Sequence, residues 1–283
     1  MPSATLLGQS LLSGIFIGGL YGLLGLGLSL SWGYLRLINL AHFALAFLGA
    51  YLTYQLAGVA GMHILLAVLI IVPAFFVLGV AMQWLFTRFS VGEFASLLVS
   101  FGMTVIIESA IQWLWTADMR KLQLEQGTVS LQVGTLFVPV TEALMFAVAA
   151  ALSVATWAWL RFTYVGKAMR ASAENPEIAA AFGVDHRRLA LLLSGVAAAY
   201  AGVAGTFVAV IYTLSPAQIF AWMGVVFAVV ILGGLGNPLG VLVAGLVIGV
   251  SESMTMAVIA PTWAPLVSFT LLILVLVLRP DRI

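Results

Sequence analysis

The stretch ASAENPEIAAAFGVD, residues 171–185, carries three acids, Glu174, Glu177 and Asp185. It lies inside a chain of 283 residues that is 63% hydrophobic and only 7% charged. Asn175 followed by Pro176 is a helix start. The amide side chain can cap free N–H groups, and a proline at the first helical position gives up no bond that was needed. Glu177 then falls in the first turn, where the helix dipole favours an acid. Gly183 suits the left-handed stop. An isolated helix this short is marginal in water, so something must pack on IAAAF, residues 178–182. YVGKAMRASAE (164–174), just before it, is amphipathic and basic, and DHRRL (185–189) follows. The unit 162–189 is either a connector between two apolar runs or a docking element for another protein.

Outward from this unit the chain is apolar to both ends. Mean hydropathy is +1.18, and a soluble protein would carry about a quarter charged residues. Apolar runs fall at 11–33, 38–58, 63–86, 94–115, 141–160, 190–212, 220–235, 238–258 and 262–279, most of them long enough to cross a hydrocarbon core of ~30 Å. The seventh is short and meets the eighth through GGLGNPLG, residues 233–240. The pair near 220–258 is therefore broken or re-entrant. These runs predict an all-α integral membrane protein. It is a polytopic helical bundle of about 8–9 membrane segments in one transmembrane domain spanning 1–283. The first run has no basic stretch before it and no cleavage site, and reads as a retained span.

Lysine and arginine set the orientation. Arg36, Arg88, Arg161, Lys167, Arg170, Arg187, Arg188, Arg279 and Arg282 fall in loops on one side, and Arg120 and Lys121 on the other, nine against two of the 11 basic residues. The first side is the cytoplasmic one. That puts the N-terminus outside, the C-terminus in the cytoplasm and the 162–189 loop in the cytoplasm. The segment 116–140 is then external, and the alternation in VSLQVGTLFV (129–138) predicts a small β-hairpin turning near Gly134.

Several chemistries are excluded. Cysteine is absent, and the three histidines, His42, His63 and His186, are too scattered for a metal motif. No G-x-x-x-x-G-K-[S/T] loop is present. The nearest stretch, RFTYVGKA (161–168), has Arg161 in place of the first glycine and Ala168 in place of the hydroxyl, so any ATP hydrolysis must come from another chain. There is no H-E-x-x-H, no G-x-S-x-G and no paired acids, so this chain is not an enzyme.

Within the spans, Gly14, Gly18 and Gly22 make a smooth stripe on the first run, and Gly245 and Gly249 make another on the eighth. Close backbone approach is the main packing device in lipid, either within the chain or against a partner chain. INLAH (38–42) and GGLGNPLG interrupt the apolar pattern. Broken helices are tolerated where they line a cavity, and transporters build sites there. Asn39, His42 and Asn237 are candidates for the translocation path on that ground, with helix capping as the alternative. Glu108 and Glu252 join them as acids within predicted spans. No acid or base lies clearly at mid-span, which argues against a proton-coupled carrier.

GKAMRASAENPEIAAAFGVD resembles the cytoplasmic coupling loop of ABC-importer permeases. Glu177, Ala179 and Gly183 fall on the E-A-A-x-x-x-G signature, with Ile178 replacing its first alanine. GYLRLINLAHFALAFLGAY (33–51), AENPEIAAAFGVD (173–185), VVILGGLGNPLGVLVAGLVIGVSE (229–252) and the terminal LRPDRI together resemble the LivH type of branched-chain amino acid permeases. The resemblance runs in the same order along nearly the whole chain. It implies the permease subunit of an ATP-driven importer in the bacterial inner membrane. Its solute would be a branched-chain or other hydrophobic amino acid, or a related small polar solute such as urea or a short amide. It implies as partners a second homologous permease, two ATP-binding subunits that carry the ATP and magnesium, and a periplasmic solute-binding protein. Glu174, Asn175, Pro176, Glu177, Ala179 and Gly183 would couple to the ATPases, and this chain itself would hold no cofactor. A passive channel for small neutral solutes is the alternative. NPL (237–239) is similar to the N-P-A turn of water channels, but NLA (39–41) lacks the proline that a second turn needs.

Overall fold

A computed structural model describes residues 3–89, 91–123 and 129–278. Arg279, Arg282 and the terminal RPDRI lie outside the described residues, as does part of the 116–140 loop. Helix α1 (Ala4–Leu35) is the axis of the bundle: nearly every residue from Gly14 to Ser31 is buried. Its first apolar run shows no polar face, and a helix apolar all round belongs in an interior. Helices α2 (Ala41–Thr53), α3 (Ile64–Arg88) and α4 (Glu93–Trp115) follow, and α2 continues as a π-helical turn, Tyr54–Val59. The β-hairpin comprises β1 (Ser130–Val133) and β2 (Leu136–Pro139), antiparallel and turning at Gly134. After it come α5 (Val140–Phe162), α6 (Tyr164–Glu174), α7 (Pro176–Ala181) and α8 (His186–Ile211). The chain then runs through α9 (Gln218–Gly233) and α10 (Pro238–Val258), and reaches α11 (Ala264–Leu278) by a 3-10 turn, Pro261–Trp263.

Among the described residues six helices are long and apolar enough to cross a membrane: α1, α3, α4, α5, α8 and α10. The chain is a multi-pass membrane protein. Three further apolar runs of the sequence form α2 with its π-helical continuation, α9 and α11, so six of the expected 8–9 segments are long and apolar enough to span as single α-helices among the described residues. At about 1.5 Å per residue α9 reaches only about 24 Å, against a hydrocarbon core of ~30 Å. Of the pair near 220–258, α10 is long enough to span and α9 is not.

The peripheral helices bury one face. On α3, Ala67, Ile71, Phe75, Gly79, Met82 and Phe86 turn inward at helical spacing, while Leu65, Leu69 and Val77 are exposed. Exposed leucine and valine on such a helix meet lipid. Packing at the axis is closer. A methyl group at Gly18 would stand 2.6 Å from the Gly245 carbonyl oxygen, and one at Gly249 would stand 2.5 Å from the Gly18 nitrogen. The two glycine stripes therefore face each other within this chain.

The bundle has two distinct ends. At one, Gln9 Nε2 donates to the Phe137 carbonyl at 2.8 Å and Gln9 Oε1 accepts from the Phe137 N–H at 3.1 Å, fixing the hairpin to the start of α1. At the same end Arg120 and Leu214 exchange backbone bonds. At the other end lie α6, α7 and the breaks between α1 and α2 and between α9 and α10.

Gly245→Leu should force α1 and α10 apart and destabilise the detergent-solubilised chain by about 3 kcal/mol or more. Gly102→Ala on α4, where an added methyl meets nothing within 4 Å, should leave the melting temperature unchanged or raise it. Thermal unfolding of the two variants side by side checks the contrast.

Candidate functional site: two broken helices and a loop helix

A break in a helix frees backbone groups that lipid cannot satisfy. In this fold, side chains from distant helices satisfy them. Between α1 and α2, Ser100 of α4 accepts from the Leu40 N–H at 3.0 Å and donates to the Ile38 carbonyl at 3.1 Å. Between α9 and α10, Ser29 of α1 accepts from the Gly236 N–H at 3.0 Å, and Tyr34 Oη donates to the Gly236 carbonyl at 3.2 Å. Gly234 and Gly236 hold φ of 89° and 71°, the left-handed region that side chains rarely enter. The two breaks abut, because Gly33 lies against the backbone of Gly236.

The five residues expected on a translocation path occupy four different settings. Asn39 and His42 line one cavity with Gln83 and Ser194, of about 10 Å³, room for one water. His42 is buried, its Nε2 3.0 Å from the Leu24 carbonyl, and Asn39 Oδ1 is buried with no partner. Asn237 caps α10, its Oδ1 accepting from the Gly240 N–H at 3.1 Å. Glu252 is only 4% exposed. It accepts from Tyr21 Oη at 2.9 Å and from Ser268 Oγ, joining α1, α10 and α11. Glu108 accepts from Gln112 at 3.3 Å on its own helix. Among the described residues no group of three or more His, Cys, Asp or Glu side chains could hold a metal ion.

The loop helix α7 is built as a capped unit. Asn175 Oδ1 accepts from the Ile178 N–H at 3.0 Å, Pro176 occupies the first turn with Glu177, and Gly183 has φ of 84°. Glu174 and Glu177 are exposed. Ala179 turns inward and is buried within this chain, so it is not part of the outer face. That face carries Ile178, 58% exposed, and Phe182, 85% exposed. IAAAF as a sequence calls for a partner, and the i, i+4 spacing of Ile178 and Phe182 is the signal within it that pairs these two. The brace around α7 has no such local signal. Ser172 Oγ and His186 Nδ1 lie 2.6 Å apart, linking α6 to α8, and Arg36 Nη2 donates to the Ala173 carbonyl at 3.4 Å, linking α6 to the end of α1. Asp185 caps α8 by accepting from the Arg188 N–H at 3.1 Å.

Residues 10–276 match the family described as branched-chain amino acid transport system / permease component. The chain is 25% identical over 301 residues to the high-affinity branched-chain amino acid transport system permease protein LivH of Salmonella typhimurium, covering 97% of this chain and 94% of that protein. It is 24% identical over 291 residues to the corresponding protein BraD of Pseudomonas aeruginosa, with the same coverage. A probable branched-chain amino acid transport permease protein LivH of Methanocaldococcus jannaschii is 28% identical over 251 residues, covering 85% of this chain and 78% of that protein. The solved structure of PsaBC from Streptococcus pneumoniae in complex with Fab aligns over 98% of this chain and 93% of that one, with a TM-score of 0.48 and 13% identity, a likeness too low to bear on fold or function.

The hydroxyl groups that close the breaks are open to test. Ser100→Ala leaves the Leu40 N–H and Ile38 carbonyl unpartnered and should cost about 1–3 kcal/mol. Ser109→Ala, on the exposed face of α4, should cost nothing measurable in the same detergent melts.

Proposed function

This chain belongs to the family of branched-chain amino acid transport system permease components, and we propose that it is the membrane-spanning subunit of an ATP-driven importer. The solute is a branched-chain or other hydrophobic amino acid, with urea and short amides as related candidates. It crosses the bacterial inner membrane unchanged. Two separate ATP-binding subunits supply hydrolysis with their own ATP and magnesium, and a second homologous permease completes the path. A periplasmic solute-binding protein delivers the cargo.

The observation that carries this reading is the outer face of α7. Ile178 and Phe182 stand exposed on a helix too short to hold itself, at the end of the bundle where the described basic residues concentrate. Two exposed apolar side chains on a capped, braced helix fit the groove of a partner protein better than they fit solvent. Arg36, Arg88, Arg161, Lys167, Arg170, Arg187 and Arg188 share that end, which supports a cytoplasmic position by the positive-inside bias. The small cavity at Asn39 and His42 speaks against a passive channel through these residues, since it has room for one water. A route between this chain and the second permease avoids the closed interior.

Phe182→Glu should reduce co-purification of the ATP-binding subunits and solute uptake by about tenfold or more while the chain still inserts normally. Uptake at the parental rate would overturn the reading. Orientation has its own check, because the chain lacks cysteine. In membranes from cells expressing this chain without the ATP-binding subunits, Ile178→Cys should react with a membrane-impermeant thiol reagent in inverted vesicles and not in intact spheroplasts.

A further inference from the structure

A second feature lies at the α6–α7 end, away from the outer face of α7. The ends of α1 and α5, the second half of α6 and the first residues of α10 line an open cleft of about 390 Å³ that includes Tyr34, Trp157, Asn237, Pro238 and the exposed Arg161 and Arg170. Its two guanidinium groups form no ion pair among the described residues, and no acid lines it. Glu174, one turn beyond Arg170, forms none with it either. The Arg161 guanidinium lies 5.2 Å from the Trp157 ring centre and 5.7 Å from that of Phe162, which holds it in place. The start of α10 adds the positive pole of a helix. Two exposed arginines with no acid partner among the described residues and a helix N-terminus give this cleft a positive potential that suits an anion.

We propose that this cavity binds the phosphodiester headgroup of an anionic phospholipid in the leaflet on the α6–α7 side. The position argues for a lipid over a soluble anion. The cavity opens where two membrane-spanning helices end, beside Trp157 and the exposed ring of Phe162, the depth at which aromatic belts meet headgroups. The acyl chains then lie along the exposed side chains of α5, such as Val154. Basic pockets between helix ends hold anionic headgroups by the same electrostatics. The site stands whether or not the importer reading holds, because it depends only on membrane insertion.

The test uses the full chain with whatever subunits co-purify, delipidated in mild detergent and titrated with phosphatidylglycerol or phosphatidylcholine under native mass spectrometry. Phosphatidylglycerol should bind and phosphatidylcholine should not. R161A/R170A should weaken phosphatidylglycerol binding about 30-fold, and each single variant about fivefold. R161K/R170K should retain most of the preference, which guards against a double alanine variant that fails to fold. Equal binding of both lipids, or full binding by a folded R161A/R170A chain, would overturn the proposal. So would displacement of the lipid by millimolar inorganic phosphate, which would make the site one for a free anion. Loss of the lipid only when the ATP-binding subunits are present would equally overturn it, by assigning the arginines to a protein partner.

Discussion

Helices α1 and α10 lie backbone against backbone, and the rest of the bundle is arranged around that contact. In lipid no hydrophobic force drives helices together, so association rests on dispersion and on how closely two backbones can approach. Glycine at 14 and 18 on one helix and at 245 and 249 on the other removes the side chains that would hold them apart. The contact has consequences along its length. It carries Tyr21 to Glu252, so that a carboxylate within a span meets a hydroxyl donor. Further along, it sets Gly33 against Gly236 and thereby places the two helix breaks side by side. Ser29 and Tyr34, on the last turns of α1, are then within reach of the freed backbone at 234–236.

How much of this was legible in the sequence follows from how local each determinant is. The caps of α7 were readable because Asn175 bonds Ile178 three residues on and Gly183 must take positive φ whatever surrounds it. The hairpin turn at Gly134 was readable for the same reason, with alternation on either side of it. The apolar runs placed every membrane helix. The shortness of α9 was legible too, because Gln218 on one side and the GGLGNPLG break on the other bound its apolar run. The partners of the breaks were illegible. Ser29 and Gly236 are 207 residues apart, and nothing in a lone serine within an apolar run announces which backbone it will serve. Ala179 shows the same limit on a smaller scale. It falls on the coupling signature, yet the turn of the helix puts it inward and gives the outer face to Ile178 and Phe182.

The scatter of Asn39, His42, Glu108, Asn237 and Glu252 has a related cause. They were chosen because each is a polar group in an apolar run, and polarity in a span signals a constraint without saying which. Three of them are accounted for by bonds they make in the fold. Asn237 closes a helix end, Glu252 ties three helices together, and His42 bonds a carbonyl of α1. Asn39 differs, since its Oδ1 is buried without a partner beside a cavity of about 10 Å³. A polar atom so placed is well served by one ordered water. Each of these bonds ties a side chain to backbone or to another helix, so the interior reads as a stiff frame.

Stiffness matters most for α7. A helix of six residues has almost no cooperativity of its own, and a soft handle would yield before it moved anything. Here it is braced on both sides. On one side Ser172 of α6 is bonded to His186 at the head of α8, and Arg36 ties α6 to the foot of α1. On the other, Asp185 caps α8 directly after the glycine stop. Helices α1 and α8 are the two most deeply buried spans of the bundle. On the proposed importer reading, a load applied at Ile178 and Phe182 would reach the axis of the molecule through hydrogen bonds and short connections. Because the axis is packed glycine to glycine, it would have little room to absorb the displacement by repacking and would shift as a body.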